Sequence, residues 1–168
     1  YAFWTLTPAL LVAAGLAESG TPEISGLSFM IIGIGSLGCI LGGWWSQSIG
    51  SARVAAIALA ASALCCAVFP WAAYALPEAL MFIMLIWGAT VIADSPHFSA
   101  LSAKACPPEI VGSALTLQNA IGFAITMVSI QIGTLVVDNW GVYTSWLLLP
   151  GPLLGLWGLA PLWLKPSR

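Results

Sequence analysis

An all-α membrane protein, built as a bundle of six transmembrane helices, is the fold class this sequence predicts, and three observations predict it. Charged residues make up 6% of the chain and hydrophobic ones 60%, where an ordinary soluble domain carries about 25% charge. So few charges cannot cover a water-facing surface, and mean hydropathy is +1.01. Apolar runs of helical length follow one another with only short polar breaks between them. Finally, the charges segregate. Arg53, Lys104, Lys165 and Arg168 are the only basic residues. With the runs laid out as spans they share one side, while Glu18, Glu23, Glu78 and Asp138 fall on the other. Chance would do this in about one case in eight, and basic residues near span ends stay cytoplasmic.

Six spans are expected, at about 2–17, 26–46, 52–76, 78–103, 112–137 and 142–164. Crossing the hydrocarbon core takes roughly 20 helical residues, which five of them satisfy. The first is short and the chain opens on Tyr1. We read this as a chain beginning inside a longer protein with its first helix trimmed; the alternative is a cleaved signal ahead of a real span. The first break, Glu18-Ser-Gly-Thr-Pro-Glu23, is a polar turn with Gly and Pro as breakers. Ser46 to Ser51 is a tight loop before Arg53. At Cys106-Pro-Pro-Glu109 the prolines push the preceding residues out of the helical region. Asp138-Asn-Trp-Gly141 closes the fifth span. Loops this short join antiparallel neighbours and leave no room for a soluble domain, so residues 1–168 form a single bundle. The runs are too long and too evenly apolar for barrel strands, which alternate over about 10 residues. Trp44, Trp45, Trp71, Trp140 and Trp163 fall at span ends, where indole rings favour the interface, although Trp4, Trp87, Trp146 and Trp157 lie further in.

Polar residues divide the spans. The third and sixth hold few and read as lipid-facing. The first, second, fourth and fifth carry Thr5, Thr7, Ser28, Ser36, Thr90, Asp94, Ser95, His97, Ser99, Thr116, Gln118, Asn119, Thr126, Ser129 and Gln131. Polar groups inside a bilayer usually face a bundle interior or a wet cavity, so these four spans are expected to line something that the third and sixth enclose.

This order resembles the C-terminal six-helix half of a major facilitator superfamily transporter, over the whole chain. In that family the third and sixth helices of each half are peripheral, and the loop after the second helix reads G-x-x-x-D-[RK]-x-G-[RK]-[RK]. Here Gly43 and Gly50 match, Gln47 stands for the aspartate, Ser48 and Ser51 replace basic positions, and Arg53 supplies the one basic group. The resemblance implies that Gly43, Gln47, Gly50 and Arg53 form a conformational-switch loop. It also implies a partner six-helix N-terminal half outside this chain, or a homodimer in its place, and residence in a plasma membrane, the bacterial inner membrane, with the C-terminus cytoplasmic.

Asp94-Ser95-Pro96-His97 is the most unusual stretch. Asp94 is the one carboxylate inside an apolar run, and His97 at i+3 would share its face of a regular helix. Pro96 removes a donor and frees a carbonyl, with Ser95 placed to cap the piece that follows. Broken helices at a cavity are how many transporters present backbone ends to substrate or ion. Two readings stay open: a proton-coupling or substrate-binding site at Asp94 and His97, or a carboxylate that caps the break. Gln118, Asn119 and Gln131 are further substrate or ion candidates, or interhelical hydrogen-bonding groups. Gly33, Gly35, Gly38, Gly42 and Gly43 crowd the second span; small residues let backbones approach, and a hinge is the other reading.

Several classes are excluded. A net charge of −2 without a basic patch gives nucleic acid no footing. A single His and no C-x-x-C leave no metal site, and no cofactor motif occurs. Cys39, Cys65, Cys66 and Cys106 read as small apolar residues. An intramembrane enzyme would need a second buried carboxylate, H-E-x-x-H or G-x-S-x-G, and none is present. The expectation is a secondary transporter moving a small solute or ion by alternating access. A non-transporting membrane scaffold is the alternative, and an intramembrane enzyme a lesser one.

Overall fold

The computed structural model describes residues 1–163, and those residues are helical throughout their ordered elements. In chain order these are α1 (Ala2–Ala13), α2 (Pro22–Ile49), α3 (Ser51–Ala75), α4 (Pro77–Ala93), α5 (Ser95–Ala105), α6 (Val111–Trp140), a 3-10 helix (Gly141–Leu148) and α7 (Pro150–Trp163). Four helical stretches are long and apolar enough to cross a membrane: Pro22–Ile49, Ser51–Ala75, Pro77–Ala105 and the run from Val111 to Leu162. The all-helical, membrane-compatible character expected from composition is therefore present. Lys165 and Arg168, and the end of the sixth expected span, lie outside the described residues.

Several boundaries differ from expectation for local reasons. The first run is helical only over Ala2–Ala13, about 18 Å at 1.5 Å per residue, because Gly15 turns the chain at φ +71. The second is longer than expected, since Pro22 opens it at a position that tolerates proline. The sixth starts as a 3-10 helix, and Pro150 begins its α-helical part. Two glycines make the sharpest reversals. Gly50, at φ +88 and ψ 148, is the whole connection between α2 and α3, and Gly141, at φ +53 and ψ −127, ends α6. Both sit where only glycine is comfortable.

Residue pairings give the directions. Gly42 on α2 faces Val54 near the start of α3, as in a helical hairpin. Ile31 meets Gly88 and Gly42 meets His97, so α2 runs parallel to α4 and α5. Tyr1 stacks near Phe123 and Leu6 fills the space over Gly133, so α1 and α6 are parallel. After Gly141 the chain descends along α3: Tyr143 lies by Tyr74, Ser145 donates to the Cys66 carbonyl at 3.1 Å, and Gly155 meets Leu59. Arg53, Lys104 and Glu109 therefore share one end of the bundle. Glu18, Glu23, Glu78 and Asp138 share the other.

The packing has an internal exchange symmetry. α2 packs on α4, and α1 on α6. α3 packs on α4, and α1 on the 3-10 helix. α1 packs on α2, and α5 on α6. Exchanging the first three runs of the chain for the last three maps each pairing onto its counterpart.

Small residues set the closest approach. A Cβ at Gly38 would overlap the Ala89 backbone, and one at Gly88 would overlap the Ile31 carbonyl. The glycines of α2 therefore do pack, through Gly35, Gly38 and Gly42, while Gly33 and Gly43 have open space. The main core joins Phe3, Leu6, Leu10, Ile31, Phe69, Met84 and Trp87, with the Trp87 ring centroid 4.6 Å from Phe3 and 5.8 Å from Phe69. One expectation is corrected: α3 is not mainly lipid-facing. It buries more residues than any other described helix, mostly Ala and Cys. A helix with few polar groups suits a bundle centre as well as lipid, and small side chains bring it inward.

Candidate functional site

The fourth apolar run breaks at Asp94, but gently. Asp94 keeps helical dihedrals, φ −75 and ψ −36, between α4 and α5, and its carbonyl accepts from both His97 N and Phe98 N at 3.0 Å. Pro96 has no N–H to give the carbonyl four residues back, that of Ile92. The Cys39 thiol of α2 donates to that same oxygen at 3.8 Å. Ser95 does not cap the break as expected. Asp94 occupies the capping position without a side-chain cap bond, and the Ser95 hydroxyl donates to Asp94 Oδ1 at 3.3 Å.

Asp94 is half-buried, whereas His97 is 4% exposed. They do not form the pair expected from their i,i+3 spacing. The imidazole turns into the contact with α2, where Nε2 would lie 3.1 Å from a Cβ on Gly42 and has no hydrogen-bond partner among the described residues. Ser95, not His97, holds the Asp94 carboxylate.

Next to this junction, two adjoining cavities of about 310 and 270 Å³ form a cleft between the start of α1, the α4–α5 junction and α6. Tyr1, Ser95, Asn119 and Phe123 line both. Ser99, Gln118 and Thr126 line the larger, and Trp4 the smaller. On α6 the lining positions 118, 119, 122, 123 and 126 recur on one face. One wall is aromatic: Tyr1 lies 5.1 Å from both Trp4 and Phe123, centroid to centroid. The other carries hydroxyl and amide groups. The Ser102 hydroxyl donates to Gln118 Oε1, and Trp4 Nε1 is buried without a partner among the described residues.

The structure thus gathers Gln118 and Asn119 with Ser95, which bonds Asp94, but leaves two expected site residues apart. His97 is in the α2 interface. Gln131 is exposed on α6, about 18 Å along the axis from Asn119, and lines neither cavity. The aromatic wall and Ser102 were not singled out from the sequence. The signal for Phe123 was its place four residues after Asn119, one helical turn on. Cys39 was passed over too, although Pro96 marks the carbonyl it reaches. In the loop between α2 and α3, Gly43 and Gln47 are exposed on the last turns of α2, Gly50 makes the reversal, and Arg53 is half-buried in the first turn of α3.

Compared with known protein families, characterised proteins and solved structures, the chain matches none.

Proposed function

We propose that this chain is one six-helix half of a secondary transporter of the major facilitator type, in which a small solute crosses by alternating access with Asp94 as the coupling group. One observation carries the reading: a cleft of hydroxyl, amide and aromatic groups opens beside the bundle's only mid-run carboxylate, in a chain 60% hydrophobic. Polar groups in such a setting are costly and mark substrate or ion paths. The exchange symmetry of the packing supports it, because inverted repeats around a midplane site are how many transporters are built. A second half would complete the cleft, and a partner copy of this chain is the substitute. The protein resides in a plasma membrane in this reading, with Arg53 and Lys104 cytoplasmic. In this reading it is a carrier and not an enzyme.

The test is solute uptake in sealed vesicles against an imposed pH gradient, with the transporter carrying Asp94→Asn compared with wild type. Loss of pH-driven accumulation, with solute exchange at equilibrium retained, is the expected result. Exchange requires no change of protonation, whereas accumulation does. Absence of flux from the well-folded complete transporter, with its second half or partner copy present, over a broad solute panel would favour the scaffold reading.

A further inference from the structure

On the far side of the bundle from the polar cleft, a groove of about 380 Å³ runs between α3 and α7. Ile49, Ala56, Ile57, Ala60 and Leu156 line it, and Arg53 stands at its head. Arg53, Ala56, Ile57 and Ala60 recur at the i, i+3, i+4, i+7 spacing of a single helix face. From Arg53 to Ala60 the groove extends about 10 Å along α3, away from the end of the bundle and into its apolar middle. Among the described residues, no carboxylate and no neutral polar side chain lines it. Ile57 is 50% exposed, so the groove is open to whatever surrounds the bundle.

We propose that this groove is a binding site for an anionic phospholipid, with the headgroup phosphate on Arg53 and the upper part of one acyl chain along Ala56, Ile57, Ala60 and Leu156. The inference rests on the apolar helices lying in a membrane and not on the transport reading. Charge complementarity selects the occupant. The apolar lining accepts any acyl chain, while the guanidinium at its mouth offers planar paired donors to a phosphate oxygen pair. A long basic side chain near a span end sends its stem along apolar surface and its head to the interface, at headgroup level. Basic sites between transmembrane helices bind anionic headgroups in this way. A zwitterionic lipid fills the same groove but brings its own cation close to Arg53.

The experiment is native mass spectrometry of the full chain released from micelles containing phosphatidylglycerol and phosphatidylcholine of identical acyl chains. Wild type is expected to retain phosphatidylglycerol roughly fivefold over phosphatidylcholine, the factor for one basic group at an anionic lipid surface. R53Q should bring the ratio to about one, and R53K should keep most of it, because a point charge still attracts phosphate. A60W, at an exposed position in the groove, should reduce retention of both lipids. Equal retention of the two lipids by wild type overturns the proposal, as does an undiminished preference in R53Q. Full retention by A60W moves the site out of the groove and overturns it too. Helical circular dichroism of each variant separates lost binding from lost folding, and the wild-type ratio alone decides the matter if a variant does not fold.

Discussion

Pro96 changes the chemistry of a carbonyl four residues earlier, and a cysteine on another helix answers it. The Ile92 oxygen loses its usual donor, and the Asp94 N–H and the Cys39 thiol both reach it instead. A buried acceptor left without any donor costs about 1–3 kcal/mol; this carbonyl keeps the Asp94 N–H and the thiol is a weak donor, so losing the thiol costs less. Cys39→Ala should therefore lower stability by less than about 1 kcal/mol, and Cys39→Ser should recover most of it, both read as unfolding midpoints in detergent. Asp94 poses the functional question at the same scale. Its only side-chain hydrogen bond among the described residues comes from Ser95, and no cap bond is made. A pure capping role would let Asn substitute. In pH-driven vesicle uptake, Asp94→Asn in the complete transporter should equilibrate solute without accumulating it while Gln131→Ala accumulates near the wild-type level, since Gln131 lines neither cavity. Wild-type accumulation by Asp94→Asn would remove the coupling role.

At the scale of elements, the α2–α4 contact is made by absence of side chains. Gly35, Gly38 and Gly88 bring backbone against backbone, where dispersion and weak Cα–H···O contacts take the place of side-chain interdigitation. Gly88→Leu would force the helices apart and should cost upwards of about 3 kcal/mol, beyond ordinary overpacking. Gly33→Leu, on the same α2 but facing open space, should stay within about 0.5 kcal/mol of wild type. Thermal unfolding in one detergent compares the two, and equal effects would place the packing face elsewhere. The turn between α2 and α3 is as exacting. Gly50 holds φ +88, so Gly50→Ala should cost about 1–3 kcal/mol of backbone strain, although no neighbour lies near its missing Cβ.

For the whole molecule, charge segregation becomes a statement about orientation. Arg53 and Lys104 stand at one end and Glu18, Glu23, Glu78 and Asp138 at the other, and from the positive-inside rule we propose that the first end is cytoplasmic. An impermeant thiol reagent applied to intact cells should label Thr21→Cys and spare Ser48→Cys, in a background without the native cysteines. Labelling of Ser48→Cys alone would invert the protein. The cleft also lies at the bundle's side and not in its centre, with Asn119 and Phe123 exposed. This chain by itself should give no pH-driven flux above protein-free vesicles, and robust flux from a demonstrated monomer would argue against the half-transporter reading.

Composition and apolar run length determined by themselves that the protein is helical and suited to a membrane, and where most helices begin and end. These properties are additive along the chain: each residue's transfer cost and each proline or glycine acts locally. The junction at Asp94 and Pro96 was legible for the same reason, as were Gln118 and Asn119 as polar groups in an apolar run. Only the tertiary structure decided which way side chains turn. His97 shares an i,i+3 spacing with Asp94 yet is drawn into the gap that Gly42 leaves on α2, and Gln131 is polar like Asn119 but lies about three turns away from the cleft. α3, apolar and small-chained, became the most buried helix because close approach rewards small residues, whereas hydropathy reads lipid and protein interior alike. Which surfaces meet depends on pairs of residues far apart in sequence, and no single stretch of chain carries that information.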